Sequence, residues 1–370
     1  MKGISRRGFL KTMGVSSIAT FGCHGLLAKG SLASDMTGLK NYTTDMLMGA
    51  RCDASFIFDR NNKNAQVLLK EFNAIQPSCY PFRVWTDRYI YNFDTFNQWV
   101  NWGVAHDKKV IMIAGRSHYY RDWIKTSDWE KDDLDAMFHE YIKNMLTSNE
   151  NGKRVYAWNV VNEIFPLSSG SYFQDEWCFM NLLGYEEDMS GLTGEDKIND
   201  VYPVYIRKAF GYADKYAGGK LELRETGFEF ELDSKKTKSI YQRIMHLRAK
   251  GVRVEALGLQ CHLFNKIDDS YDYRKFIEVC EKFRNIGGIE LYVTEADICS
   301  FNDLKLQKQR YKELIIACRQ AGIAQFHLWG VADNQDAGWR KGEYPLIFDK
   351  NFEKKPTYFG VLEGLQTLLK

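Results

Sequence analysis

The sequence predicts an α/β protein built as a (β/α)8 barrel, a closed ring of eight parallel strands, and three observations carry that expectation. Short apolar runs alternate with amphipathic helical patterns eight times between about residue 40 and the C-terminus, as parallel strands buried on both faces require. No GxGxxG or phosphate-loop sequence follows an early run, although an open doubly wound sheet would be expected to carry one. The chain has 370 residues, 45% of them hydrophobic, with 6 Pro and no low-complexity stretch, enough for one large core.

Taken in order, the strand candidates are residues 46–52, 74–76, 109–114, 155–161, 221–224, 254–260, 289–294 and 323–329. Between them lie helical patterns at 67–72, 96–104, 206–216, 240–247, 276–283, 311–318 and 358–369. The clearest is the stripe Leu134, Met137, Phe138, Tyr141, Ile142, Met145 and Leu146, spaced i, i+3, i+4, i+7. Residues 165–203, rich in Ser, Gly, Asp and Glu, are long for a connection and read as a loop inserted at the active face of a single barrel spanning 40–370.

Residues 1–34 read as an address. Ser5-Arg6-Arg7-Gly8-Phe9-Leu10-Lys11 sets paired arginines before a weakly apolar run, and Ser31-Leu32-Ala33 supplies small residues at cleavage spacing. This resembles a twin-arginine export signal, implying a periplasmic or extracellular protein. The run contains Ser16, Ser17, Thr20, Gly22 and His24, too polar for an anchor of about 20 apolar residues. Thr20-Phe21-Gly22 lacks the Leu and small residue expected before a lipid-bearing cysteine, which disfavours attachment at Cys23.

Composition narrows the partners. Fifty Lys+Arg against 48 Asp+Glu leave a net charge of +2, no field to draw nucleic acid or an anionic membrane. With Cys23 in the signal, seven scattered cysteines remain, and Cys261 and Cys299 sit in apolar runs, so buried free thiols are expected. No CxxC or HxxxH metal spacing occurs, and neither a metal nor an organic cofactor is expected. The expected state is a monomer. Nine Trp and 21 Tyr are more rings than such a core needs and point to aromatics lining a cleft.

In a parallel barrel, reactive groups gather at the C-terminal ends of the strands. Two of the runs end in glutamate: the fourth finishes at Glu163 and the seventh at Glu295. Two carboxylates facing one cleft can divide glycosidic cleavage, one protonating the leaving oxygen while the other attacks the anomeric carbon or activates water. Asn162 is placed to hold substrate hydroxyls, and burial among Trp158 and other rings is expected to raise the Glu163 carboxyl toward acid duty.

These residues also resemble a known family. Trp158-Asn159-Val160-Val161-Asn162-Glu163 is similar to the acid/base signature of glycoside hydrolase family 10, the retaining endo-β-1,4-xylanases, and Leu291-Tyr292-Val293-Thr294-Glu295-Ala296-Asp297-Ile298 to its nucleophile signature. Gly258-Leu259-Gln260-Cys261-His262-Leu263 resembles the family's Gly-Ile-Gln-Ser-His-Leu. Leu328-Trp329-Gly330-Val331-Ala332-Asp333, Trp339-Arg340, Pro345-Leu346-Ile347-Phe348-Asp349 and Lys355-Pro356-Thr357-Tyr358 follow its closing segment in order.

The resemblance implies double displacement with Glu163 as general acid/base and Glu295 as nucleophile. Asn162, Gln260 and His262 would hold the sugar and the nucleophile, with His262 donating to Glu295 and keeping it ionised. Trp329 and Trp339 would stack on a pyranose ring, and Asp297 would orient a neighbour. The departures fall in the sugar-binding shell. Where the family has Thr-Pro-Glu-Asn-x-Met-Lys, the chain reads Gln76-Pro77-Ser78-Cys79-Tyr80-Pro81-Phe82-Arg83; His-Thr-x-x-Trp-His becomes Ile113-Ala114-Gly115-Arg116-Ser117-His118; Asn-Asp-Tyr-Asn becomes Arg224-Glu225-Thr226-Gly227. Arg83, Arg116, His118, Tyr119 and Tyr120 are candidate replacements. The substrate is therefore xylan or a related polysaccharide, with another β-linked glycan, or a catalytically silent glycan-binding barrel, as alternatives.

Overall fold

The computed structural model describes residues 37–53, 61–116, 123–124, 127–166, 182–186, 202–263, 271–300, 302–333, 340 and 342–369, without the side chains of 81–82 and 113–116. The export-signal reading at 1–34, Cys23, His118, Tyr119, Tyr120 and Trp339 lie outside the described residues, as does most of the loop at 165–203.

Eight strands and eight following helices alternate through the unit Gly38–Lys370. The strands are β1 (Leu47–Cys52), β2 (Ala74–Pro77), β3 (Lys109–Arg116), β4 (Ala157–Asn162), β5 (Lys220–Glu225), β6 (Ala256–Leu259), β7 (Glu290–Ile298) and β8 (Gln325–Leu328). The helices are α1 (Lys63–Glu71), α2 (Asp94–Ala105), α3 (Lys131–Thr147), α4 (Val204–Asp214), α5 (Lys235–Ala249), α6 (Tyr273–Arg284), α7 (Leu304–Gln320) and α8 (Pro356–Gln366). The strands pair in sequence, all parallel, and β8 pairs with both β7 and β1, so the sheet closes on itself. Among the described residues no helix is long and apolar enough to cross a membrane.

Local chemistry sets the helix starts. Ser234, Asp272 and Asp303 each precede a helix and accept a backbone N–H from its first turn, and Pro356 opens α8 where its missing N–H is no loss. The seven-residue stripe of α3 is wholly buried, as its period requires. The rings are less exposed than expected. Trp85, Trp99 and Trp158 are fully buried, and Trp85 stacks on Tyr141 at 4.5 Å between sheet and helices.

The barrel interior has two levels. Near the strand starts Ala74, Ile111, Ala157, Ala256 and Tyr292 form a small apolar cluster. Above it the lumen turns polar: Gln76, Asn159, Glu222, Arg224, Gln260, Gln325 and His327 are all buried, where branched aliphatics commonly fill a barrel. Two glycines make the room. A Cβ on Gly258 would lie 2.2 Å from Oε1 of Glu222, and one on Gly49 would lie 2.3 Å from the His327 ring.

Candidate active site

Glu163 follows the last residue of β4 and Glu295 lies in the C-terminal half of β7, tied into one backbone network. The Glu163 N–H donates to the Arg224 carbonyl at 3.0 Å, the Gln260 N–H to the Glu225 carbonyl at 3.0 Å, and the Glu295 N–H to the Gln260 carbonyl at 3.1 Å. β4 stops at Asn162 because Glu163 turns left-handed, with φ 52°. Such a conformation persists only where neighbours fix it, and Glu225 does so. Its buried carboxylate accepts the N–H groups of Ile164 at 2.5 Å and Phe165 at 3.1 Å and pairs with Lys236 Nζ at 3.0 Å. Burial pushes the Glu225 carboxyl up, Lys236 opposes, and the charge of Glu163 pushes the same way as burial.

An amide meets the Glu163 side chain. Gln260 Nε2 donates to Glu163 Oε1 at 2.7 Å and to Asn162 Oδ1 at 3.3 Å. Trp158 does not help to enclose the carboxyl as the sequence suggested. It stacks on Phe96 of α2, 5.9 Å between ring centres, within the layer between sheet and helices. A strand buried on both faces gives no sequence signal of which way a ring points.

Glu295, only 4% exposed, sits between two cationic groups. Arg224 Nη1 donates to Oε1 at 3.1 Å, and His262 Nε2 lies 3.2 Å from Oε2. The other His262 nitrogen lies 2.8 Å from Asp297 Oδ1. Burial disfavours a charged imidazole, but Asp297 and Glu295 outweigh it and raise the ring to about 10, so at neutral pH it donates from both nitrogens. Asp297 in turn accepts from Arg340 Nη1 at 2.5 Å, and Arg340 Nε donates to Glu343 at 2.6 Å. On the other side, Arg224 Nε and Nη2 donate to the two oxygens of Glu222 at 2.7 and 3.1 Å. Seven groups thus alternate in sign from the lumen outward: Glu222, Arg224, Glu295, His262, Asp297, Arg340, Glu343.

Trp329 is half-buried, edge-on to His262 at 5.8 Å, with the Arg51 guanidinium 4.8 Å from its ring centre. Arg51 Nε donates to Ser78 Oγ at 2.7 Å, and Arg51 also bonds the Tyr80 hydroxyl, which burial pushes up to about 12. Arg83 is exposed on the short helix Pro81–Val84. Asn162, Gln260, His262, Asp297 and Trp329 therefore gather with the two glutamates. The groups that sequence reasoning did not assign to the site are Arg51, Ser78, Tyr80, Glu222, Arg224, Glu225, Lys236 and Arg340. The signal was present in Leu221-Glu222-Leu223-Arg224-Glu225, where charges interrupt a strand expected to be apolar.

The family profile described as Glycosyl hydrolase family 10 matches residues 39–364. Endo-1,4-beta-xylanase B of Thermotoga neapolitana is 26% identical over 326 residues, covering 83% of this chain and 85% of that protein. Exoglucanase XynX of Acetivibrio thermocellus is 25% identical over 360 residues, 90% of this chain but 30% of its own length. The crystal structure of xylanase 10B from Thermotoga petrophila RKU-1 in complex with xylobiose superposes with a TM-score of 0.76 at 23% identity, covering 89% of this chain and 97% of that one.

Proposed function

The chain belongs to glycosyl hydrolase family 10 and is an endo-1,4-β-xylanase-like glycoside hydrolase; from that premise we propose that it cleaves β-linked xylan with retention, Glu163 serving as general acid/base and Glu295 as nucleophile. The observation that carries the reading is the residue between them. Gln260 holds Glu163 through its side chain and the Glu295 backbone through its carbonyl, so both carboxylates are set by one strand end.

In the first step Glu163 gives its proton to the glycosidic oxygen as an oxygen of Glu295 bonds to the anomeric carbon and the aglycone leaves. In the second, Glu163 takes a proton from water, the water oxygen attacks the same carbon, and the Glu295 carboxylate departs. Retention is the expected stereochemistry. Proton magnetic resonance of the sugar end freshly released from xylan should show the β-anomer first; the α-anomer first would defeat the mechanism.

One observation favours a second substrate. Where the family carries Asn and Lys after the second strand, this chain places Ser78 and Tyr80, both bonded to Arg51, and buried polar groups discriminate strongly between sugars. Reducing-sugar release on xylan, glucan, mannan and galactan separates the readings: release from a non-xylan polymer alone keeps the chemistry and changes the glycan. Binding without release, by wild type and glutamate variants alike, would make it a lectin-like barrel. We also infer twin-arginine export, expected to fail in the Arg6→Lys/Arg7→Lys variant as retention of the unprocessed chain in the cytoplasm.

A further inference from the structure

We propose that Arg224, backed by Glu222, is a positioning residue that holds Glu295 as a carboxylate in the resting enzyme, and that the pair sets the acidic limit of activity. This rests on the reading of Glu295 as nucleophile.

The arrangement is built, not incidental. Arg224 and Glu222 are both fully buried, two residues apart on β5 and so on the same face of the strand. Gly258 on the neighbouring strand lacks the side chain that would displace them. Burying two charges is worthwhile only with good geometry and satisfied donors. Arg224 meets that condition: Nε and Nη2 grip Glu222, and Nη1 is left for Glu295. The position is also one where the chain departs from its family pattern, which carries a neutral Asn there.

The groups facing Glu295 come from several elements. Arg224 and Glu222 approach from β5, Gln260 and through it Glu163 from β6 and β4, and His262 from the strand His262–Leu263. Tyr80 follows β2 and feels the charges of Glu295, Arg224 and Arg51. His327 of β8 lies beside Arg224; burial, aided by that guanidinium, depresses the imidazole to about 3, so it adds no cation. Asp297 and Arg340 act on His262 from beyond. Among the described residues, the cations in contact with the carboxylate are therefore His262 and Arg224. Both are charged on the acidic limb, and Arg224 keeps its charge at alkaline pH as well.

Glu222 explains how the cation is tolerated once the reaction begins. When Glu295 becomes a glycosyl ester it loses its charge, and an isolated buried guanidinium would be stranded. With Glu222 bound in two places, Arg224 stays compensated. The pair is a fixed dipole whose positive end touches the nucleophile.

That geometry predicts opposite effects from its two halves. Removing the cation moves the acidic limb of activity to higher pH, and neutralising Glu222 while keeping its shape moves it to lower pH. The test uses 2,4-dinitrophenyl 2-deoxy-2-fluoro-β-xylobioside, which traps the nucleophile as a stable ester, with labelling followed by intact mass against pH. The Arg224→Met/Glu222→Leu variant, which fills the space with apolar groups, should show its acidic limb raised by about one unit or more, so that labelling on that limb falls roughly tenfold per unit. Glu222→Gln should shift the limb downward, and Arg224→Lys should restore most of the wild-type profile. Slower labelling with limbs unmoved in both the double variant and Glu222→Gln would mean a merely structural pair and overturns the proposal. Wild type that takes no label on Glu295 from this xyloside or from the matching 2-fluoro glycoside of whichever polymer it degrades defeats instead the reading of that residue as nucleophile, and the inference with it.

Discussion

Two glutamates stand on two strands toward one end of the barrel, and their surroundings differ in kind. Glu163 is met by an amide donor and lies near a second, buried carboxylate, Glu225. Glu295 is gripped by a guanidinium and an imidazolium. A neighbouring anion favours the protonated form of a carboxyl and a neighbouring cation the ionised form. The division of labour proposed for the two side chains, proton donation in one place and attack in the other, would then rest on their neighbours.

The contrast can be broken most severely at its cationic end. Glu295→Ala should lower kcat on every substrate by about 10⁴-fold or more, because no other group forms the covalent bond; residual turnover within tenfold of wild type would end the assignment. Glu163→Ala should be selective. Loss of about 10²- to 10⁴-fold is expected on polysaccharide, whose leaving group needs a proton, with the first step on dinitrophenyl glycosides nearly spared. Equal losses on both would erase the distinction between the two residues.

A finer cut is Glu225→Gln, which weakens the clamp on Ile164 and Phe165 and leaves Lys236 without its anion. Misplacement of Glu163 by a fraction of an ångström should reduce kcat by roughly 10- to 100-fold with KM little changed; a change confined to KM would place Glu225 in substrate binding instead.

The smallest effects are on stability, and they have opposite signs at two histidines. The folded state raises His262 from 6.5 to about 10, so its contribution is complete below about pH 6.5 and is lost as pH climbs toward 10. His327 is lowered from 6.5 to about 3, so its contribution is complete above about pH 6.5 and is lost as pH falls toward 3. Melting temperature measured against pH should therefore decline on both flanks. His262→Asn should flatten the alkaline flank and leave the acidic one; an unchanged alkaline flank would mean that this imidazole is not charged in the fold.

The ring of eight was legible because the strand and helix periods repeat in order; β3 and β7 ran further than expected only because their ends pair beyond the apolar run. Glu163, Glu295, Gln260, His262 and Asp297 were legible because they sit in contiguous motifs. Arg224 and Glu225 were not. Their partners lie far off in the chain, Glu295 some 71 positions away and Ile164 61 positions away, and no local pattern announces such pairings. Arg51 was equally silent, since nothing in its sequence context brings it over Trp329, and the outward turn of Trp158 was hidden by a strand whose two faces are both covered.

One segment measures out both halves of the chemistry. Arg224 offers its carbonyl to Glu163 and its guanidinium to Glu295, while the next residue offers its carboxylate to the turn after Glu163 and its carbonyl to Gln260. The proposed acid and nucleophile are thus inherited as a unit. Changes at 224 and 225 should show strong epistasis, with survivors of a library randomised at both appearing as matched couples, since a shift that suits one catalytic group displaces the other.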